Sequence, residues 1–281
     1  MSFYNPMIPK CNLHTHTRFC DGKDSPEEVV LAAIAAGMET LGFSGHSGLP
    51  FSTTWTMNRE RIKEYQKEIL RLKEVYQDRL HILLGIEQDL LTGIPDYPYD
   101  YVIGSVHCLQ ADGEYFMVDE SAEVLKNAAQ KHFGGDFYKL CKAYYEMVAQ
   151  VVDKTRCDIV GHFDLVTKFN EGGVHFDENN ERYVAAAERA IKKLCAQGMI
   201  FEINTGAISR GHRTVPYPSK RFLEAIRREG GRITYSSDCH DGNYIACAFE
   251  ESVALAKECG FEGFMKLTDN GFVFEKFDDE E

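Results

Sequence analysis

Short runs of apolar and β-branched residues recur along this chain, each followed by a longer stretch whose apolar positions return every three or four residues. The short runs have the length of buried strands, and the long stretches have the period of amphipathic helices. Seven strands are predicted: KCNLHTH around residue 13, TLGFSGH around 43, HILLGIEQD around 85, YDYVIGSVH around 104, CDIVGHFD around 160, GMIFEINT around 202 and GRITYSSDCH around 235. The closing FEGFMKLTDNGFVFEKF offers one more. Apolar strands alternating with helices point to βαβ units around a parallel sheet buried on both faces.

The first helix carries its own boundaries. In SPEEVVLAAIAAG, Ser25 is placed to cap the N-terminus, Pro26 sits in the first turn, Glu28 follows the cap by three residues and Gly37 ends the helix. Further helices are expected over 58–76, 136–154, 179–196, 219–228 and 244–259. No linker rich in Pro, Gly or Ser interrupts the series, so residues 1–281 are expected to form a single domain, a length ordinary for one α/β barrel. Residues 110–135 form the longest insertion between strands and are expected to serve as a lid or a wall.

Composition narrows the class without naming it. The chain is 44% hydrophobic, and no stretch approaches the ~20 apolar residues that span a bilayer. MSFYNPMIPKCNLH lacks the basic start and apolar run of a secretory signal, so a cytoplasmic protein with no membrane partner is expected. Nine Cys without a CxxC pair read as reduced, buried small hydrophobes. Lys and Arg number 31 against 44 Asp and Glu, a net charge of −13, and such a surface repels a nucleic-acid backbone.

The chemistry lies in where the histidines fall. Six of the ten, with three acidic residues, stand at or just after the C-terminal ends of the predicted strands. His14 and His16 end the first strand with Asp21 just beyond, His46 the second, Glu87 the third, His107 the fourth, His162 the fifth, and Asp238 with His240 the seventh. In a βα barrel this rim carries the catalytic groups, because its loops can vary without disturbing the packed interior. His14-x-His16 and Asp238-x-His240 place two ligand atoms on one face of a strand. A lone His at a strand end is an ordinary hydrogen-bonded residue; nine polar groups gathered there would each carry a burial cost unless they share a partner. Imidazole and carboxylate without thiolate suit Zn²⁺, Mn²⁺ or Fe at a hydrolytic centre.

Arg18, Lys168, Arg210 and Arg213 lie in loops on the same rim, and Arg210, in the loop after the sixth strand, is the first candidate to orient phosphate oxygens. Ser209 and Ser237 offer further hydrogen bonds, and His212 is a candidate to protonate a leaving group or meet an imidazole substrate. No dinucleotide fingerprint is present.

The order HxH, D, H, E, H, H, DxH resembles the polymerase-and-histidinol-phosphatase (PHP) superfamily over nearly the whole chain. The resemblance implies a distorted (β/α)7 TIM-like barrel holding three divalent transition-metal ions (Zn, Mn or Fe). By that likeness His14, His16, Glu87 and Asp238 hold one ion, Glu87, His107 and His162 a second, and Asp21, His46 and His240 a third, with Glu87 bridging and Glu87, Asp238 and His240 catalytic. Three such ions and three carboxylates leave a local charge of about +3, an anion trap inside an acidic protein. HTRFCDGK, GHSGLPF, IGSVHCL and EINTGAISRGHRTVPYPS are similar to the small histidinol phosphatases, which implies metal-dependent hydrolysis of a small phosphorylated metabolite, L-histidinol phosphate, to L-histidinol and inorganic phosphate in histidine biosynthesis. Two alternatives stand beside this: the same site acting on another phosphomonoester (a nucleotide, a sugar phosphate or phosphotyrosine), or a non-catalytic metal-stabilised module.

Overall fold

The computed structural model describes residues 9–51 and 54–277. In chain order it runs β1 (Cys11–Asn12), α1 (Pro26–Ala35), β2 (Thr40–Phe43), α2 (Arg59–Val75), β3 (His81–Asp89), β4 (Tyr101–Ser105), β5 (Cys108–Ala111), β6 (Glu114–Met117), α3 (Ala122–Phe133), α4 (Phe137–Val148), α5 (Val151–Thr155), β7 (Ile159–Val160), α6 (Glu181–Ala196), β8 (Ile200–Asn204), α7 (Gly206–Ser209), α8 (Lys220–Arg228), β9 (Arg232–Ser236), α9 (Phe249–Glu258), β10 (Gly263–Thr268) and β11 (Gly271–Lys276). Seven parallel strands form one sheet in the order β1-β2-β3-β4-β7-β8-β9. Its two edges meet beyond the strands, where His16 N donates to Cys239 O at 2.8 Å and Cys239 N to His14 O at 3.1 Å, which makes the sheet a nearly closed barrel.

The seven strands fall where the apolar runs predict them, but two are much shorter. The ladder of the first run stops at Asn12, whose amide donates to Ser237 Oγ (2.6 Å) and Ile245 O (2.8 Å) and whose Oδ1 accepts from His14 N (3.1 Å). The fifth run stops at Val160, because His162 N turns to the Glu202 carboxylate. Both interruptions lie at the rim, where backbone leaves the ladder to aim side chains. Ser25 and Glu28 form the expected capping box of α1. The helix expected over 136–154 is divided at Ala149–Gln150 into α4 and α5, and the one expected over 244–259 starts only at Phe249, after Ala248 turns to φ 55°. The closing segment is not an eighth barrel strand. It forms the antiparallel hairpin β10–β11, tied to the starts of β2 and β3 by Lys266–Glu39 and His81–Asp269, each 3.0 Å.

Inside the barrel Leu13, Leu83, Tyr101, Ile103, Ile159 and Leu267 pack as one cluster. Tyr101 is the largest of them, and its hydroxyl donates to Leu13 O directly before His14. It fits only because β2 and β3 carry Gly42 and Gly85 where a Cβ would overlap its ring. Gly85→Ala is therefore expected to destabilise the protein by about 1–3 kcal/mol through overpacking, read as a lower denaturant midpoint at unchanged slope; an unshifted midpoint would contradict this packing.

Candidate metal centre

The strand ends converge on Glu87, which is 1% exposed. Its Oε1 lies 2.8 Å from His162 Nε2 and 3.2 Å from His107 Nε2, and accepts a 2.6 Å hydrogen bond from Ser105 Oγ. Its Oε2 lies 2.7 Å from His46 Nδ1, 3.3 Å from His14 Nε2 and 3.6 Å from His16 Nε2. Five imidazoles thus face one carboxylate. Asp238 stands on one side, with Oδ1 3.2 Å from His16 Nε2 and 3.7 Å from His14 Nε2. Asp21 stands on the other, with His240 Nε2 at 3.2 Å and His46 Nε2 at 3.6 Å. All nine rim residues singled out in the sequence are gathered here.

The parts of this cluster are only partly satisfied by one another. His14 Nε2, His16 Nε2 and Glu87 Oε2 are buried and make no hydrogen bond. Imidazole nitrogens and a carboxylate oxygen without hydrogen bonds, aimed into one space, fit a divalent cation. Three overlapping groups have ligand atoms within 4.8 Å of one another: His16, Asp21, His46 and His240; His14, His16 and Glu87; and His46, Glu87 and His107. Without an ion, protons hold the cluster together. Burial pushes His46 down, but Glu87 and Asp21 outweigh it and carry its pKa up to about 9. Against the same burial Glu202 and Glu87 raise His14, and Glu87 and Asp89 raise His107, while burial together with His240 and His46 drives His16 down to about 3.

A cavity of about 780 Å³ opens above the cluster. Its walls include Arg210, Lys168, Asp119, Trp55, Phe51 and Tyr115. The insertion 110–135 is a wall: the β5–β6 hairpin and α3 carry Tyr115, Phe116 and Val124 to the cavity. Arg210 donates to Asp238 Oδ2 and Asp238 O at 3.0 Å, and Lys168 Nζ bonds Asp119 O at 2.8 Å.

The other rim candidates point elsewhere and do not line this cavity. Arg18 is 63% exposed and pairs with Glu28 at 3.4 Å. Arg213 is buried against Glu178 (2.8 Å) and Thr167 O (3.0 Å). Ser209 Oγ donates to Gly206 O, Ser237 Oγ accepts from Asn12, and His212 packs edge-on against Phe169. Rim loops fix where a residue starts, not where its side chain turns.

Sequence reasoning passed over several groups that hold the cluster. Glu202 accepts from His14 Nδ1 at 2.6 Å, and Asp89 Oδ2 lies 3.3 Å from His107 Nδ1. Trp55 meets the rings of His46 and His107 edge-on. A signal existed for the two acids: Glu202 is charged in the otherwise apolar run MIFEI, and Asp89 shares a strand face with Glu87 two residues earlier.

Known proteins share this architecture. A histidinol-phosphatase of Lactococcus lactis subsp. lactis is 24% identical over 267 residues, 90% of this chain and 93% of that protein. A Schizosaccharomyces pombe protein named a probable histidinol-phosphatase is 28% identical over 270 residues, 88% of this chain and 86% of its own length. Among solved structures, histidinol phosphate phosphatase from Lactococcus lactis, in complex with zinc, L-histidinol and phosphate, superposes with a TM-score of 0.70 at 22% identity, covering 97% of this chain and all of that one. The PHP domain model matches residues 12–206, from the first barrel strand to the start of α7, and the chain belongs to the PHP domain family.

Proposed function

We propose that this chain is a metal-dependent phosphatase that hydrolyses L-histidinol phosphate to L-histidinol and phosphate. The observation that carries the reading is the set of unpartnered nitrogen and oxygen atoms around Glu87 at the floor of a cavity whose wall bears a guanidinium. Curated relatives over most of the chain bear the name histidinol-phosphatase.

His14, His16, Asp21, His46, Glu87, His107, His162, Asp238 and His240 would hold the ions. Divalent ions there supply Lewis acidity toward the phosphoryl group and neutralise its charge. The rest is the work of the chain. Arg210 is kept cationic by Asp238 despite its burial, which alone would discourage the charge, and it presents a fork to phosphate oxygens at the cavity wall. Lys168 stands at the same cavity beside Asp119. Phe51, Trp55 and Tyr115 line the same cavity and offer ring surface against which an imidazole would pack.

Phosphate release by zinc- or manganese-loaded protein, with L-histidinol phosphate beside nucleotide, sugar and phosphotyrosine substrates, tests this directly. The expected result is a kcat/KM for histidinol phosphate at least about 100-fold above the others, since a site built to bind one substrate's polar groups discriminates at that level or better. A flat profile would remove the substrate and keep the phosphatase; no release from any substrate would remove both.

A further inference from the structure

Glu202 sits within β8, 1% exposed, with both carboxylate oxygens fully used. Oε1 accepts from His14 Nδ1 at 2.6 Å and from Ser236 Oγ. Oε2 accepts from the backbone N of His162 at 2.7 Å and from Asn204 Nδ2 at 2.9 Å. The four donors come from the ends of β1, β7, β8 and β9, so one side chain ties together a wide arc of the rim. An ionised carboxylate only accepts, so His14 keeps a proton on Nδ1, and Nε2 is the nitrogen it would offer to a cation. That nitrogen is buried, makes no hydrogen bond and faces Glu87 Oε2 at 3.3 Å. On the other side Glu202 fixes the main chain of His162, whose Nε2 reaches the opposite oxygen of Glu87 at 2.8 Å.

We propose that Glu202 is a positioning residue of the metal centre: it fixes the tautomer and ring orientation of His14 and the place of His162, and through them the affinity of the two ligand sets that share Glu87. The proposal rests on the metal-centre reading above. Carboxylates behind metal-bound imidazoles act in this way generally, and their loss weakens metal affinity by about 10–100-fold. Asp89 stands behind His107 in the same manner, but at 3.3 Å and with no second histidine, so Glu202 is the stronger lever.

The test is zinc titration of metal-depleted wild type, Glu202→Gln and Glu202→Asp against a chromophoric chelator, with thermal melts of the metal-free proteins alongside. Gln keeps the shape but turns an NH₂ toward donors, and Asp keeps the charge but is one methylene short. Each is expected to bind zinc at least about tenfold more weakly than wild type, with the pH at which zinc half-loads moved upward. Unchanged zinc affinity and half-loading pH in either folded variant, with only the metal-free melting temperature lowered, would mark Glu202 as structural and overturn the proposal. Wild type that binds no zinc would instead overturn the metal-centre reading itself.

Discussion

Glu87→Gln is expected to lower kcat/KM for phosphate release by at least about 1,000-fold, because losing ions worth several kcal/mol of charge stabilisation corresponds to three or more decades of rate. The substitution conserves volume, so packing of the buried side chain is little changed. What it removes is the one negative charge that five histidine rings face, and what it adds is an amide NH₂ directed at nitrogens 2.7–3.6 Å away. The rings need not stay charged. With Glu87 gone, the main support for the raised pKa of His46 and His107 goes with it, and both can rest neutral in the fold. Metal content measured on the purified variant beside its turnover separates the possibilities: lost metal and lost activity agree with the assignment, whereas full metal content at full turnover would show that Glu87 is not a shared ligand.

The way this centre is written in the chain explains how much of it could be read in advance. A parallel barrel delivers the C-terminal end of every strand to one rim, so a ligand placed there needs no information beyond its own strand. That is why His14, His46, Glu87, His107, His162 and Asp238 could be grouped from spacing alone, and why the seven strands were legible as apolar runs. Glu202 was not, because its role depends on His14, 188 residues away, and on which way an imidazole turns. Arg18 and Arg213 stand on the rim just as Arg210 does, yet Arg18 is drawn outward to Glu28 and Arg213 inward to Glu178, choices made by neighbours distant in sequence. The terminal hairpin escaped for a related reason. Its alternation marks β structure, but only the contact of Leu267 with Leu13, Leu83 and Tyr101 shows that it seals the far end of the barrel.

Removing the ions should expose the protonic balance beneath them. In the metal-free chain His46 has a pKa of about 9 against an ordinary 6.5, a rise that burial opposes and Glu87 and Asp21 impose. A raised folded-state pKa stabilises the fold fully below pH 6.5 and loses that contribution as pH climbs through 9. The contribution of His46 is on the order of 3 kcal/mol. His14 and His107 shift in the same direction. His16, held down near 3 by burial with His240 and His46, is neutral in folded and unfolded chains alike above pH 6.5, so it adds no slope in that window. The metal-free protein is therefore expected to melt at progressively lower temperature between pH 6.5 and 9. Divalent ions require the same imidazoles unprotonated, so their binding strengthens over that interval. An ion present at about 1,000 times its Kd adds roughly 4 kcal/mol, or about 10 °C for a chain of this size. The gap in melting temperature between zinc-loaded and chelator-treated protein should widen as pH rises, measured calorimetrically across the window. A gap that is absent, or that narrows toward pH 9, would mean that the histidines around Glu87 answer to protons alone.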